Sequence, residues 1–210
     1  MNFKFAASIV AAMAIGSSPA FACKGPTTLL ADNFQTVDPA WGLGDGLAIS
    51  GGKATVTINA GGTLNYMNYE GQFFDTADVC VDMVGPSVSD QTTALGGIMF
   101  GLTNSGYYLF LVEEDGKAEI ARNQNGGWLT PVTMRAAPSL KTGANVTNTL
   151  RITYKGNSAS AYINDTLFIT FNLPQAFQNT QIALYGENDA QSGAPAINYT
   201  FSNLNITNIP

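Results

Sequence analysis

The chain has 210 residues, of which only 11% are charged, and its nine Lys and Arg against fifteen Asp and Glu give a net charge of −6. This balance excludes nucleic acid and anionic membranes as main partners, because both attract clustered basic residues. The sequence contains no histidine, which rules out Ser-His-Asp and Cys-His catalytic arrangements and removes the commonest zinc ligand.

The first 22 residues have the pattern of a secretory signal peptide. Lys4 precedes a run rich in Ala, Ile and Val, and the segment ends in Ala20-Phe21-Ala22. This pattern predicts cleavage before Cys23 and export to the periplasm or outside of a bacterial cell. Loss of Lys4 would take the net charge from −6 to −7. Residues 23–210 have the length of a single all-β domain.

Short alternating segments bounded by Gly, Asn, Asp and Pro predict β-strands along the rest of the chain. In chain order they are Thr28–Phe34, Leu47–Ser50, Lys53–Ile58, Thr63–Met67, Gln72–Val84, Ala94–Leu102, Gly106–Glu114, Ala118–Asn123, Trp128–Arg135, Asn148–Lys155, Ala159–Asn164, Thr166–Phe171, Thr180–Glu187 and Ala196–Thr207. Gly106–Glu114 is apolar on both faces, which predicts a central strand. Pro131 predicts an edge strand or a bulge, because proline has no backbone N–H to donate. Pro174–Phe177 is expected to form one helical turn.

Two cysteines remain after the signal, Cys23 and Cys80. Alternation places Cys80 on the polar face of its strand with Asp78 and Asp82, so burial in the core explains it poorly. In an oxidising compartment a Cys23–Cys80 disulfide is the simpler interpretation. Acylation of Cys23 would exclude this bond, and a lipid anchor is disfavoured because Ala20 stands where such signals favour leucine. The two aspartates are interpreted as keeping the sheet surface soluble.

No later segment has a useful helical period, so the predicted fold is all-β, a two-sheet antiparallel sandwich. Four runs, in their order, resemble the concanavalin A-like lectin/glucanase jelly-roll domains of secreted bacterial proteins: LLADNF…DPAWGL, GGIMFGL…GYYLFLVEEDGKAEIAR, NVTNTLRITYKGNSASAYINDTLF and INYTFSNLNI. The resemblance covers nearly all of Thr28–Ile206 and implies that the last strand lies beside the first. Relatives include carbohydrate-binding modules, laminin-G-like domains and glycoside hydrolases, so the fold leaves the function open.

The resemblance to glucanases raises the question of a catalytic motif. Members of that group carry E-x-D-x-E or E-x-D-x-x-E on one strand, where alternate side chains point into the cleft. The nearest match here is Glu113, Asp115 and Glu119, but Lys117 and Ala118 occupy the positions that need glutamate. We therefore interpret this cluster as a solvated hairpin and assign no catalytic residue. A hydrolase with a noncanonical carboxylate site stays as the alternative.

A saccharide site combines aromatic platforms with amide and guanidinium hydrogen-bonding groups. The candidate ligand-binding residues around the central strands are Tyr107, Tyr108, Arg122, Gln124, Trp128 and Tyr185. The resemblance implies that an oligo- or polysaccharide binds the concave sheet. Many relatives carry a polar or basic residue facing the groove where this chain has Gly101, so the groove is deeper here or binds something else. The tyrosines could instead fill the sandwich, and a structural or protein-binding adhesion domain is a third reading.

A calcium site is the one cofactor that the sequence leaves open. Asp32 and Asn33 on the first strand and Asn203 and Asn205 on the last would be neighbours if these strands pair, and their side chains supply oxygen ligands. Hydrogen bonds from these side chains to nearby backbone explain the same residues equally well.

Overall fold

The computed structural model describes residues 23–86, 94–143, 145–188 and 195–209. Its strands are β1 (Thr28–Asp32), β2 (Leu47–Ser50), β3 (Lys53–Ile58), β4 (Leu64–Tyr69), β5 (Ala77–Val84), β6 (Ala94–Thr103), β7 (Gly106–Glu113), β8 (Lys117–Gln124), β9 (Gly127–Ala136), β10 (Thr147–Lys155), β11 (Ser158–Ile163), β12 (Thr166–Asn172), β13 (Gln181–Asn188) and β14 (Ile197–Thr207). The predicted signal peptide, residues 1–22, lies outside the described residues. In the described part of the chain, no helix is long and apolar enough to cross a membrane.

The strands form two antiparallel sheets, as the sequence predicts. One sheet has the order β12-β11-β10-β5-β14-β3-β2, and β1 pairs with β14 beside that path. The other has the order β4-β13-β6-β7-β8-β9. The expected pairing of the first and last strands is confirmed, with Asp32 opposite Leu204. The all-β sandwich prediction is therefore correct.

Alternate side chains of both sheets meet in one hydrophobic core. Phe100 and Phe110 from the six-stranded sheet and Leu150 and Tyr154 from the eight-stranded sheet are almost fully buried there. The rings of Phe100 and Tyr154 stack with centroids 5.7 Å apart. Because strand side chains alternate between faces, every second residue of the six-stranded sheet faces away from this core. That outward face carries the candidate site.

The central hairpins follow the turn chemistry of the sequence. β7 lies between β6 and β8, which confirms its interior position. The Asp115-Gly116 tip places the glycine at φ 93°, a conformation that disfavours side chains. β9 is the edge strand that Pro131 predicts, and its pairing register with β8 shifts on both sides of Ile120.

The Cys23–Cys80 disulfide is confirmed, with the two Cα atoms 5.5 Å apart. The bond holds the N-terminal segment against the outer face of the eight-stranded sheet. There the backbone N–H of Lys24 donates to Asp78 Oδ2 at 2.9 Å. The sulfur of Cys23 is occupied by this bond, as the disulfide interpretation requires.

The interpretation of Asp78 as a solubilising surface group is wrong. Asp78 is only 2% exposed and makes a two-pronged ion pair with Arg151, with the Nε–Oδ1 distance at 2.7 Å. Asp82 accepts hydrogen bonds from Thr149 Oγ1 at 2.6 Å and Asn203 Nδ2 at 2.8 Å. Both carboxylates therefore accept hydrogen bonds that join β5 to β10 and β14, with Asp78 buried and Asp82 partly exposed.

A bulge in β6 changes the predicted faces at its end. Gly101 has φ 61°, and the pairing register shifts between Phe100 and Thr103. A side chain at Gly101 would lie 2.5 Å from the Cζ atom of Phe177, so this residue does not face the groove as expected. Leu102 packs on the outward face, whereas strict alternation along β6 would place it with Ile98 on the core face.

The segment between β12 and β13 crosses the open end of the sandwich. Its Phe177 ring packs on Phe100, Tyr108 and Tyr154, with the shortest centroid distance, 5.1 Å, to Tyr154. We call this ring the plug. The helical turn predicted over Pro174–Phe177 is wrong, because these residues form a bend that directs the plug inward.

Candidate functional site

The outward face of the six-stranded sheet has an apolar floor. Cross-strand partners share a face, and Leu109 pairs with both Met99 and Ala121. The floor consists of six buried residues: Met99, Leu109, Leu111, Ala121, Ala183 and Tyr185. All six are at most 7% exposed, so a ligand would contact the residues around the floor rather than the floor itself.

Three aromatic residues, Tyr66, Tyr107 and Trp128, stand around the floor, and we call them the rim. The Tyr107 and Trp128 rings meet edge to face at 6.0 Å, because both residues pair with Asn123. Trp128 is 54% exposed and Tyr66 is 41% exposed. Large aromatic surfaces that stay in contact with water are available to a ligand.

An open cavity of about 1070 Å³, which we call the groove, lies at the β6–β7 end of this face. Tyr66 and Tyr107 line it, together with the side-chain amides of Asn68, Asn123 and Gln181. Asn123 Oδ1 accepts from the Gly126 backbone N–H at 3.2 Å, which fixes the amide orientation. Aromatic carbon beside amide donors and acceptors matches the alternating apolar and hydroxyl-bearing surfaces of a sugar.

Carboxylates also face outward on this sheet, among them Glu113, Glu119 and Glu187. Glu119 lies opposite Leu111, and Glu187 lies opposite Leu95. The Tyr185 hydroxyl donates to Glu187 Oε2 at 2.7 Å. Burial, followed by the Glu187 charge, raises the pKa of Glu119 above its ordinary value. Burial and Glu187 likewise raise the pKa of Tyr185, so its phenol stays protonated as the donor.

The predicted acidic cluster does not form one site. Glu113 and Asp115 lie at the β7–β8 hairpin, where Lys117 makes ion pairs with both carboxylates. Glu119 stands further along β8, near Glu187 in charge interaction. Glu113 occupies an outward position of β7 beside Glu119 and interacts with it in charge, so only Asp115, at the hairpin tip, is set apart. Sequence spacing could not reveal the charge interaction with Glu187, because Glu187 lies on β13 and the sheet order places β6 and β7 between β13 and β8.

A second cavity, of about 460 Å³, opens at the end of the sandwich beside the plug, and we call it the end pocket. Tyr108, Arg122 and Gln124 line it. The Arg122 guanidinium lies over the Tyr108 ring, with Cζ 5.2 Å from the centroid. Tyr108 is 5% exposed, so its ring supports the arginine rather than presenting a free face.

The six predicted ligand-binding residues therefore fall into two groups. Tyr107, Trp128 and Tyr185 share the outward face, although Tyr185 is only 1% exposed and belongs to the floor. The other three, Tyr108, Arg122 and Gln124, line the end pocket. Strand alternation separates neighbours such as 107 and 108. Sequence reasoning missed Tyr66, which β4 brings opposite Tyr185, and Asn123, which the alternation of β8 could have indicated.

The predicted calcium ligands Asp32 and Asn203 line a third cavity, of about 390 Å³. Both Asp32 oxygens already accept hydrogen bonds, one from the Phe34 backbone N–H at 2.7 Å and one from the Trp41 indole N–H at 2.8 Å. The Asn203 amide nitrogen donates to Asp82. Asn33 lines the same cavity, whereas Asn205 is 5% exposed on β14. Calcium binding here stays a prediction.

Among the described residues, Cys23, Asp78 and Cys80 form the one group of three cysteine, histidine or carboxylate ligands close enough together to hold a metal. Both cysteines are joined in the disulfide. Asp78 is already paired with Arg151. This group therefore serves as a cross-link rather than a metal centre.

No protein-family model and no curated protein matches the chain. Solved structures do match. The carbohydrate-binding module CBM66 from Bacillus subtilis is similar at 15% identity and a TM-score of 0.61, over 80% of this chain and 95% of that one. The β-glucanase of Bacillus licheniformis is similar at 11% identity and a TM-score of 0.65, over 86% and 98%. LamAcat from Zobellia galactanivorans is similar at 10% identity and a TM-score of 0.64, over 87% and 98%.

At these identities the likeness concerns the fold. The chain has the concanavalin A-like jelly-roll fold that the sequence resemblance implied, and its neighbours include a binding module as well as glucanases. One fold with both kinds of member does not decide between binding and hydrolysis. That decision depends on the outward face of this chain.

Proposed function

We propose that the chain is an exported, non-catalytic domain that binds an oligo- or polysaccharide on the outward face of its six-stranded sheet. The observation that carries the proposal is the contact between half-buried Tyr107 and exposed Trp128 beside an open, amide-lined groove. Stacking on these rings would supply affinity, and the amides would select hydroxyl positions. The similarity to a carbohydrate-binding module supports the same reading. The disulfide supports an oxidising, extracytoplasmic location.

The test is a glycan-array screen of residues 23–210, performed with calcium and with a chelator. Trp128→Ala should abolish binding by removing a sugar platform. Leu129→Ala is the matched control, because Leu129 is the next residue on β9 and is also 54% exposed. Equal binding by both variants would contradict the proposal. Loss of binding in chelator would support the calcium prediction at Asp32 and Asn203.

A hydrolase is the second candidate, and the charge interaction between Glu119 and Glu187 on the outward face favours it. Glycoside hydrolysis uses one protonated and one ionised carboxyl group, and the raised pKa of Glu119 suits the protonated role. Release of reducing ends from any glycan bound on the array would support this candidate. Glu119→Gln and Glu187→Gln should then abolish release while binding persists. Binding without release supports the non-catalytic proposal.

An array without signal under both conditions would contradict both saccharide functions. The third reading, a structural or protein-binding adhesion domain, would then gain weight. Intact Trp128 exposure in solution, measured by fluorescence quenching, would show that the rim itself is present in such an experiment. If the rim is accessible, the absence of binding on the array could not be explained by a collapsed groove.

A further inference from the structure

Among the residues that the structure describes, Arg122 is the only charged one that lines the end pocket. The other lining residues are aromatic, amide, hydroxyl or small. Across the described residues, no carboxylate forms an ion pair with Arg122, whereas Arg151 is paired with Asp78. A guanidinium that faces a cavity without a protein anion is free to bind one from a ligand.

The guanidinium is held in place before any ligand arrives. Arg122 and Tyr108 are direct cross-strand partners, and the arginine lies over the tyrosine ring. Tyr108 is itself packed between Phe100 at 5.5 Å and the plug at 5.7 Å. The support beneath Arg122 is therefore part of the core. A preorganised arginine loses less side-chain entropy when it binds.

Uncommitted amides surround this charge. Within the described residues, the side chains of Gln124, Gln175 and Gln178 make no hydrogen bond to protein. They line the end pocket with Arg122. A guanidinium fork with several N–H donors matches a carboxylate or a sulfate ester, which accept hydrogen bonds on two or three oxygens.

The end pocket borders the groove. Gly106, Tyr107, Asn123 and Gln178 line both cavities. A chain that lies across the rim would therefore reach the end pocket by passing over the β6–β7 turn. The two groups of predicted residues would then contact one ligand at neighbouring positions.

We propose that the end pocket binds an acidic substituent, a carboxylate or a sulfate ester, of a saccharide whose neutral part lies in the groove. This inference rests on the proposed saccharide function and specifies the class of ligand. The net negative charge of the chain does not oppose it, because exposed charges beyond about 8 Å are largely screened at physiological ionic strength. The carboxylates of the outward face do not line the end pocket.

The first experiment is an NMR titration of residues 23–210 with four probes: glucuronate, its methyl ester, inorganic sulfate and glucose. We expect saturable shifts of the Arg122 Nε–H and the Gln124 and Gln178 amides with glucuronate or sulfate, and none with the two neutral probes. Whether glucuronate or sulfate causes the shifts shows whether the end pocket prefers a carboxylate or a sulfate ester. Arg135 provides the internal reference, since it lies over Phe168 with the same kind of ring contact, at 5.1 Å. Equal shifts at Arg135, or none at Arg122, would overturn the inference.

The second experiment compares variants on acidic and neutral glycans. Arg122→Gln should lower the ratio of acidic-glycan to neutral-glycan affinity about tenfold or more, as expected for loss of a charge-assisted pair. Arg122→Lys, which keeps the charge but not the fork, should lose part of this preference. Arg135→Gln, which removes the same charge elsewhere, should lose none. An unchanged ratio in Arg122→Gln would refute the inference.

These readouts separate the two proposals. A glycan array that shows Trp128-dependent binding without any preference for acidic glycans would refute the end-pocket inference alone. An array on which no glycan binds would refute the saccharide function. It would also refute the acidic-saccharide ligand proposed here, even if Arg122 binds free sulfate. A thermal melt of each variant would establish that the folded domain is being compared.

Discussion

Reduction of the Cys23–Cys80 bond should lower the stability of the domain by an amount that the loop length predicts. The cross-linked residues are 57 positions apart. The loop-entropy relation gives about −14 cal/mol/K for the unfolded chain, hence about 4 kcal/mol at room temperature. For a domain of this size, that loss corresponds to a fall in melting temperature of about 8–16 °C.

The assay is thermal unfolding followed by circular dichroism, with and without a phosphine reductant. The matched variant is Cys23→Ala/Cys80→Ala, which should melt near the reduced wild type and be insensitive to reductant, since the chain has two cysteines. The slope of urea unfolding should rise on reduction, because an uncross-linked chain exposes more surface. A melting temperature unchanged within about 3 °C on reduction would refute the loop-entropy reasoning.

Three further predictions concern single residues. Gly101→Ala should lower the free energy of unfolding by about 2–4 kcal/mol, because the added Cβ clashes with the plug and the positive φ is strained for alanine. Gly51→Ala is the control: its φ is 57° and the space around it is open, so the loss should be about 1 kcal/mol. Chemical denaturation measures both values. Asp78→Asn should cost about 3–5 kcal/mol by leaving Arg151 buried without its anion, and a loss below 1 kcal/mol would contradict this. Glu119→Gln should raise the melting temperature at pH 7 but not at pH 4. The pKa of Glu119 is raised above 4.5 in the folded state, so its ionisation lowers the stability of the domain as the pH rises through that pKa, and glutamine removes this loss. An equal change in melting temperature at both pH values would contradict this reasoning.

The fold could be predicted because strand alternation and turn residues are local signals. The central hairpins and the edge position of β9 followed from Asp-Gly and Pro131. The error at Gly101 has a physical cause. A bulge adds one residue to a strand, and every side chain after it changes face, so Leu102 moved to the outward side. Nothing in the local alternation marks that insertion.

Burial of Asp78 could not be predicted from the strand alone. Alternation correctly placed Asp78 and Asp82 away from the core, yet an outward face is exposed only if nothing covers it. The N-terminal segment, held by the disulfide, lies over Asp78, and β10 supplies Arg151 as its partner. Both contacts join residues more than fifty positions apart. A Cys23–Cys80 disulfide by itself implies that the N-terminal segment lies over this face of the sheet.

The same reasoning explains why the predicted binding residues divide between two cavities. Tyr107 and Tyr108 are adjacent in sequence and therefore face opposite sides of β7, as do Asn123 and Arg122 on β8. Near the end of the strands, however, the two sides converge at Gly106, where the groove meets the end pocket. A ligand that turns around this end could use both sides of the sheet. Stacking at the rim would then provide affinity for the sugar rings, and Arg122 would provide selectivity for charge.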